Sequence, residues 1–183
     1  MGDNSKTGLR PAFAGEARVT TPLYTLEQLR RRDRSPWTLV QGVLAPLQFL
    51  VFLVSLALVL RFLATGRGLE AATVSIVVKT AVLYTIMVTG ALWERDVFGQ
   101  YLFARAFFWE DAVSMLVIAL HTAYLVALFG HWLDARGQML LALSAYATYV
   151  VNATQFLMKL RAARRVQYRH SVAAPPLAAG GAP

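Results

Sequence analysis

The chain predicts an all-α polytopic membrane protein, a bundle of four transmembrane helices with both termini in the cytoplasm. Three observations predict it. Of 183 residues, 57% are hydrophobic and only 15% charged, too apolar a balance for a soluble domain of this size. The apolar residues gather into four segments long enough to cross a bilayer. Lys and Arg concentrate at one alternate set of segment ends, as the positive-inside bias requires. The formal charge of +8 does not point to nucleic acid, because the basic residues flank apolar segments and no basic run is interleaved with aromatics. Cys is absent, which excludes disulfides, thiolate metal sites and a cysteine nucleophile.

Residues 1–24 are rich in Gly, Ala, Thr, Ser and Pro without a period, and are expected to form a disordered tail with no signal-peptide core. Thr25 to Arg34 reads as a short interfacial helix capped by Thr25, its basic end among anionic headgroups, or else as a solvated charge run. The first span covers Trp37 to Leu63; Pro46 removes a backbone bond from it, and Arg61, Gly66, Arg67 and Gly68 end it. The second runs from Ala71 to Leu92, the third from Phe107 to Phe129 and the fourth from Gln138 to Leu157. The four-helix domain is thus expected over residues 25–164, with a disordered tail over 165–183. Arg30, Arg31, Arg32 and Arg34 precede the first span, Arg95 and Arg105 lie in the link between spans two and three, and Lys159, Arg161, Arg164, Arg165 and Arg169 follow the fourth. The opposite ends carry only Arg61, Arg67 and Arg136, which puts the termini and that link in the cytoplasm. No internal repeat is visible, so a repeat-built transporter is disfavoured.

Ionisable groups inside spans are costly and mark candidate functional positions. Lys79 and His121 fall at similar depth, roughly 18–21 Å from the cytoplasmic end at about 1.5 Å per residue, with Gln48 and Tyr146 near the same level. Such a layer implies a closed bundle; interhelical hydrogen bonding explains it too, and a snorkelling Lys79 is a further alternative. On the third span Glu110, Ser114, Val117 and His121 share a face, while Asp111 follows the adjacent stripe with Met115 and Ile118. Glu94, at the end of the preceding span, is placed to meet Glu110 and Asp111 across the short link. Acidic groups crowded together in partly desolvated surroundings suit paired acid and base work. Acids at a helix start also complement its dipole, and both readings stand on the sequence. A phosphate-binding Gly loop, a Gly-x-Ser-x-Gly elbow and a His-Glu-x-x-His zinc helix are all missing. His121 is the only histidine within a span, so it suits either a chlorin magnesium or a simple hydrogen bond, and bis-histidine haem is excluded.

Several long polar-in-apolar strings carry a resemblance: Pro36-Trp-Thr-Leu-Val-Gln-Gly-Val-Leu-Ala-Pro-Leu-Gln-Phe-Leu-Val-Phe52, Ile76-Val-Val-Lys-Thr80, Tyr84-Thr-Ile-Met-Val-Thr-Gly90, Trp93-Glu94, Phe98-Gly-Gln-Tyr-Leu-Phe103, Phe107-Phe-Trp-Glu-Asp111, His121-Thr-Ala-Tyr124 and Tyr149-Val-Val-Asn152. From about Leu23 to Arg164 the chain resembles the 3-vinyl bacteriochlorophyllide hydratases of phototrophic bacteria, called 2-vinyl in older ring numbering. The resemblance implies addition of water to the C3-vinyl group of a chlorophyllide or bacteriochlorophyllide, giving the 3-(1-hydroxyethyl) pigment, without a cofactor of its own. It also implies a multi-pass protein of the bacterial inner membrane whose partners are the pigment, the bilayer and other pigment-biosynthesis enzymes, with no nucleic acid.

Within that reading Glu110 and Asp111 are the expected acid and base, Glu94 the third carboxyl, and His121 the ligand to the substrate magnesium or the orienter of water. Lys79, Tyr146 and Asn152 are expected to bind substrate, and Arg95 or Arg105 to hold its propionate at the surface. Trp109, with Phe107 and Phe108, either stacks on the pigment or belongs to an interfacial belt. The rival reading is a non-catalytic pigment-binding or assembly protein in which the acids merely cap helices.

Overall fold

The computed structural model describes residues 23–173, and these form five helices: α1 (Leu26–Arg34), α2 (Pro36–Thr65), α3 (Leu69–Phe98), α4 (Phe108–Phe129) and α5 (Ala135–Ala173). Four of them, α2 to α5, are long and apolar enough to cross a membrane. The expected four-span, all-helical architecture is therefore present.

Each boundary has a local cause. Thr25 Oγ1 accepts from the Gln28 amide at 3.2 Å while Gln28 Oε1 accepts from the Thr25 amide at 2.9 Å, a reciprocal cap that starts α1. Pro36 occupies the first turn of α2, where its missing N–H costs nothing, and the helix continues through Pro46. The turn from α2 to α3 uses Gly66 (φ 69°) and Gly68 (φ 86°), and α3 stops at Gly99 (φ 83°), all left-handed conformations open to glycine.

The helices pack as two hairpins, α2 against α3 and α4 against α5. The inward stripe of α2 is Gln48, Phe52, Ser55 and Val59, and that of α4 is Glu110, Asp111, Ser114, Val117, His121, Tyr124 and Ala127. Phe52 joins the hairpins: its ring centroid lies 4.9 Å from Tyr149 and 5.5 Å from Tyr146. Outward faces remain apolar and exposed, among them Leu39, Leu50, Val54 and Val88, as lipid contact demands. Trp109 and Trp132, 72% and 73% exposed, stand at opposite ends of the hairpin α4–α5, like the two interfacial belts of a spanning bundle.

Two expectations about the ends require correction. Tyr24, expected within the tail, is buried: its ring stacks on Phe98 at 5.8 Å and approaches Phe107 at 6.5 Å. The burial of an aromatic ring outweighs the Gly- and Pro-rich composition that precedes it. Residues 165–173, also expected as tail, continue α5, because the stretch after Leu160, about half of it the good helix formers Arg and Ala, meets no breaker before Pro175. Residues 1–22 and 174–183, the rest of both expected tails, lie outside the described residues.

A Cβ at Gly99 would meet nothing within 4 Å, so the only obstacle there is the backbone conformation. Gly99→Ala is expected to destabilise the protein by about 1–2 kcal/mol. Gly42→Ala, inside α2 and equally uncrowded, is expected to be neutral or to stabilise by about 0.5–1 kcal/mol. Unfolding in mild detergent titrated with a denaturing one compares the two.

Candidate active site

The polar residues that the lipid-facing surfaces exclude meet along the seam between the hairpins, in two centres at different depths. The first is at the end of the bundle shared by the last turn of α3 and the first turn of α4. Here Glu94 and Asp111 are buried and their carboxyl groups lie within hydrogen-bonding reach of each other. Carboxylates have only acceptors, so two can share a hydrogen bond only when one of them holds a proton. Each also fastens the intervening link: the Phe103 amide donates to Asp111 Oδ2 at 2.7 Å, and the Ala104 amide to Glu94 Oε2 at 3.4 Å. Phe103 has φ 60°, a conformation that costs a non-glycine residue about 1–3 kcal/mol. The Asp111 bond holds it there.

Glu110, one residue earlier, points elsewhere because successive helical side chains diverge by about 100°. Its carboxylate accepts from Lys159 Nζ of α5 at 2.5 Å, and its backbone carbonyl accepts from Asn152 Nδ2 at 2.9 Å. Asn152 also donates to Ser114 Oγ at 3.0 Å. An aromatic cap closes the same end: Phe107 is ringed by Trp93 and Phe98 at 5.8 Å and stacks on Phe156 at 5.8 Å, with Lys159 Nζ 5.0 Å from its ring. Trp93 Nε1 donates to Thr38 Oγ1 at 3.0 Å, and Ser35 Oγ to Asp96 Oδ2 at 2.8 Å, so α1 and the start of α2 are tied to this end.

The second centre lies deeper. Lys79 Nζ of α3 is 2.6 Å from His121 Nε2 of α4, and the His121 ring donates from Nδ1 to the Val117 carbonyl at 2.7 Å. A carbonyl can only accept, so Nδ1 carries the hydrogen and Nε2 accepts from the lysine. The Lys79 nitrogen also sits over Tyr149 and Tyr146, 4.3 and 5.1 Å from their centroids. Tyr146 Oη shares a 2.5 Å bond with Ser55, which bonds Ser75 at 2.8 Å. Lys79 is fully buried, which rules out snorkelling.

The structure sorts the candidates from the sequence. The common depth of Lys79, His121 and Tyr146 is realised as direct contact. Gln48 is buried too, but neither of its amide atoms has a hydrogen-bond partner. Glu94 meets Asp111, whereas Glu110 is engaged by Lys159 on another side. His121 is not in contact with the carboxylates; its Nε2 faces Lys79. Asn152 belongs to the Glu110 centre. Arg95 and Arg105 are exposed, Arg95 lying over Tyr101 at 4.9 Å. Trp109 faces outward with its ring edge-on to Phe108 at 5.6 Å, an interfacial position rather than one on the seam. The sequence reading missed Lys159 and Tyr24 as site residues: the spacing of Lys159 from Asn152, two turns along one helix, was the available signal for the first, and Tyr24 gave none.

Glu110 is nearly buried and Lys159 largely so. Lys159→Met is therefore expected to destabilise the fold by about 3 kcal/mol by stranding the carboxylate, and the Glu110→Gln, Lys159→Met double variant to recover most of it. Detergent unfolding of all four members of this cycle measures the coupling.

Residues 24–162 match a family model described as 2-vinyl bacteriochlorophyllide hydratase. A protein of that name from Rhodobacter capsulatus is 70% identical over 142 residues, 78% of this chain and 82% of the relative. A namesake from Cereibacter sphaeroides is 69% identical over 145 residues, 78% of this chain and 88% of the relative. No solved structure matches the chain. With a family model spanning both polar centres and all four apolar helices, and relatives matched over most of their length, the chain belongs to the 2-vinyl bacteriochlorophyllide hydratase family.

Proposed function

We propose that this protein hydrates the C3-vinyl group of a chlorophyllide or bacteriochlorophyllide to the 3-(1-hydroxyethyl) derivative, as a hydro-lyase of bacteriochlorophyll synthesis. The observation that carries the mechanism is the buried Glu94–Asp111 pair at one end of an apolar bundle. A carboxyl group held protonated there gives its proton to the terminal vinyl carbon, whose π electrons form the new C–H bond. The positive charge left on the adjacent carbon is delocalised into the macrocycle and stabilised by the carboxylate. Water adds its oxygen to that carbon and passes a proton back to the carboxylate, which restores the pair. Atoms and charge balance without a redox partner. Neutral Asp or Glu beside an ionised one is the arrangement that lets a single site act as acid and then as base.

Glu110, paired with Lys159, holds Asn152 through its backbone carbonyl, and Asn152 in turn bonds Ser114. The pigment enters by parting the hairpins along their seam, which aromatic side chains close in its absence. The bias of Lys and Arg supports a cytoplasmic location for the termini and the carboxylate end, in the inner membrane of a phototrophic bacterium, where the neighbouring pigment enzymes would take up the product. His121 becomes a magnesium ligand only if Lys79 releases its Nε2. It therefore serves first as the partner of that lysine.

One observation favours the non-catalytic reading: Asp111 and Glu94 both hold backbone amides of the link. The two readings separate cleanly. In membranes containing the protein, a vinyl chlorophyllide is expected to gain the mass of one water with nothing else added. Glu94→Gln and Asp111→Asn retain an acceptor for those amides, and each is expected to lower the rate at least about 100-fold while the protein stays folded. Folded variants that hydrate at the wild-type rate would leave the carboxyls with the structural role alone.

A further inference from the structure

Hydration consumes a water molecule, and a bundle set in hydrocarbon has to hold that molecule on polar atoms that the fold itself leaves free. Hydroxyls on the spanning helices usually donate to the carbonyl one turn back, as those of Thr80, Thr85, Thr122 and Ser144 do. Ser114 does not. The carbonyl one turn before it, that of Glu110, accepts instead from Asn152 Nδ2, which also donates to Ser114 Oγ. Among the described residues, no acceptor takes the hydroxyl hydrogen of Ser114, itself buried, and no donor reaches Asn152 Oδ1. Gln48 adds a second, independent observation: it is 2% exposed, and both of its amide atoms are unpartnered. Buried polar atoms without a partner are rare enough to require one. The helices α2 and α5 run antiparallel, with Phe52 against Tyr149 and Ser55 bonded to Tyr146. One turn back along α2 is Gln48 and one turn on along α5 is Asn152, so the two fall at one level on facing helices.

We propose that Gln48, Asn152 and Ser114 bind the water that adds to the vinyl group, and then the hydroxyl it becomes. This rests on the hydratase reading and supplies the step that the carboxyl pair leaves open. The free atoms are a mixed set without charge: the Gln48 and Asn152 oxygens accept, while the Gln48 nitrogen and the Ser114 hydroxyl donate. Water and an alcohol both donate and accept, so they match the set. An alkene does neither, a ketone or carboxylate would leave the acceptors idle, and an ammonium would leave the donors idle. Two to four such partners are what a buried water needs. The placement fits the order of bond making. Ser114 lies one turn deeper than Asp111, about 4.5 Å along α4. A vinyl group whose terminal carbon meets the carboxyls, with its ring in the seam below, has its inner carbon displaced toward that level. The terminal carbon takes the proton. A lone pair of the bound water then forms the C–O bond at the inner carbon, and the proton that water loses goes to the carboxylate that gave the first. Water held on one side of the inner carbon captures the cation before it reverts.

The test follows 3-vinyl chlorophyllide a in D2O, in membranes containing the protein, and measures two rates. One is formation of the alcohol. The other is entry of deuterium into the terminal carbon of pigment that remains vinyl, which reports protonation followed by return to the alkene. In Gln48→Leu the alcohol is expected to form about 100-fold more slowly, the effect of misplacing a reactant, while exchange continues, so the ratio of exchange to hydration rises. Ser114→Ala, which leaves the bond from Asn152 to the Glu110 carbonyl in place, is expected to move that ratio in the same direction. Because Gln48 has no partner in the protein, Gln48→Leu is expected to resist detergent unfolding at least as well as wild type. A Gln48→Leu protein that hydrates at the wild-type rate overturns the proposal. Exchange and hydration falling together overturn it too, since that is the result of a distorted fold or a lost proton donor. If Gln48→Leu fails to accumulate, the ratio in Ser114→Ala decides alone. Wild-type protein that neither hydrates nor exchanges overturns the hydratase reading, and the water site falls with it.

Discussion

Hydrocarbon offers no hydrogen bonds, and this one constraint organises the molecule. Most buried polar side chains on the spanning helices find a partner inside the protein, Gln48 being an exception, while Leu, Val and Phe are left to the lipid. The Ser55–Tyr146 and Lys79–His121 bonds each join one hairpin to the other. Around them an apolar cluster that includes Phe52, Val59, Ile76, Val117, Tyr124 and Met139 packs the two hairpins together.

The two polar centres lie at different depths. Near the bundle end, acids from the last turn of α3 and the first turn of α4 are crowded by the short link and sealed by Tyr24, Trp93, Phe98, Phe107 and Phe156. The seal thins the water around the carboxyls, and their bonds to the Phe103 and Ala104 amides hold them in place. Rigid placement and partial desolvation are what a proton donor to an alkene needs. Deeper in, Lys79 of α3 and His121 of α4 bond to each other across the hairpins.

Much of this was legible in the chain. Segment length and apolarity predicted four helices, and the count is right. The helical period placed Glu110, Ser114, Val117 and His121 on one face, and all are buried. Counting residues from the segment ends put Lys79 level with His121, and the two touch. The family was recognisable from polar strings such as Phe107-Phe-Trp-Glu-Asp111, because polar residues within lipid are too costly to recur without cause.

Residue spacing along one helix thus determined what that helix presents and at what depth, since 3.6 residues per turn and a fixed rise leave little freedom. It did not determine partners. Asp111 faces Glu94 while Glu110 is taken by Lys159, and Tyr24 folds over the end it was expected to trail from. These outcomes depend on how each helix is rotated and which neighbour it meets. In a membrane the outer face is as apolar as the inner one, so the sequence carries little amphipathic signal for rotation, and only packing of the whole bundle decides it.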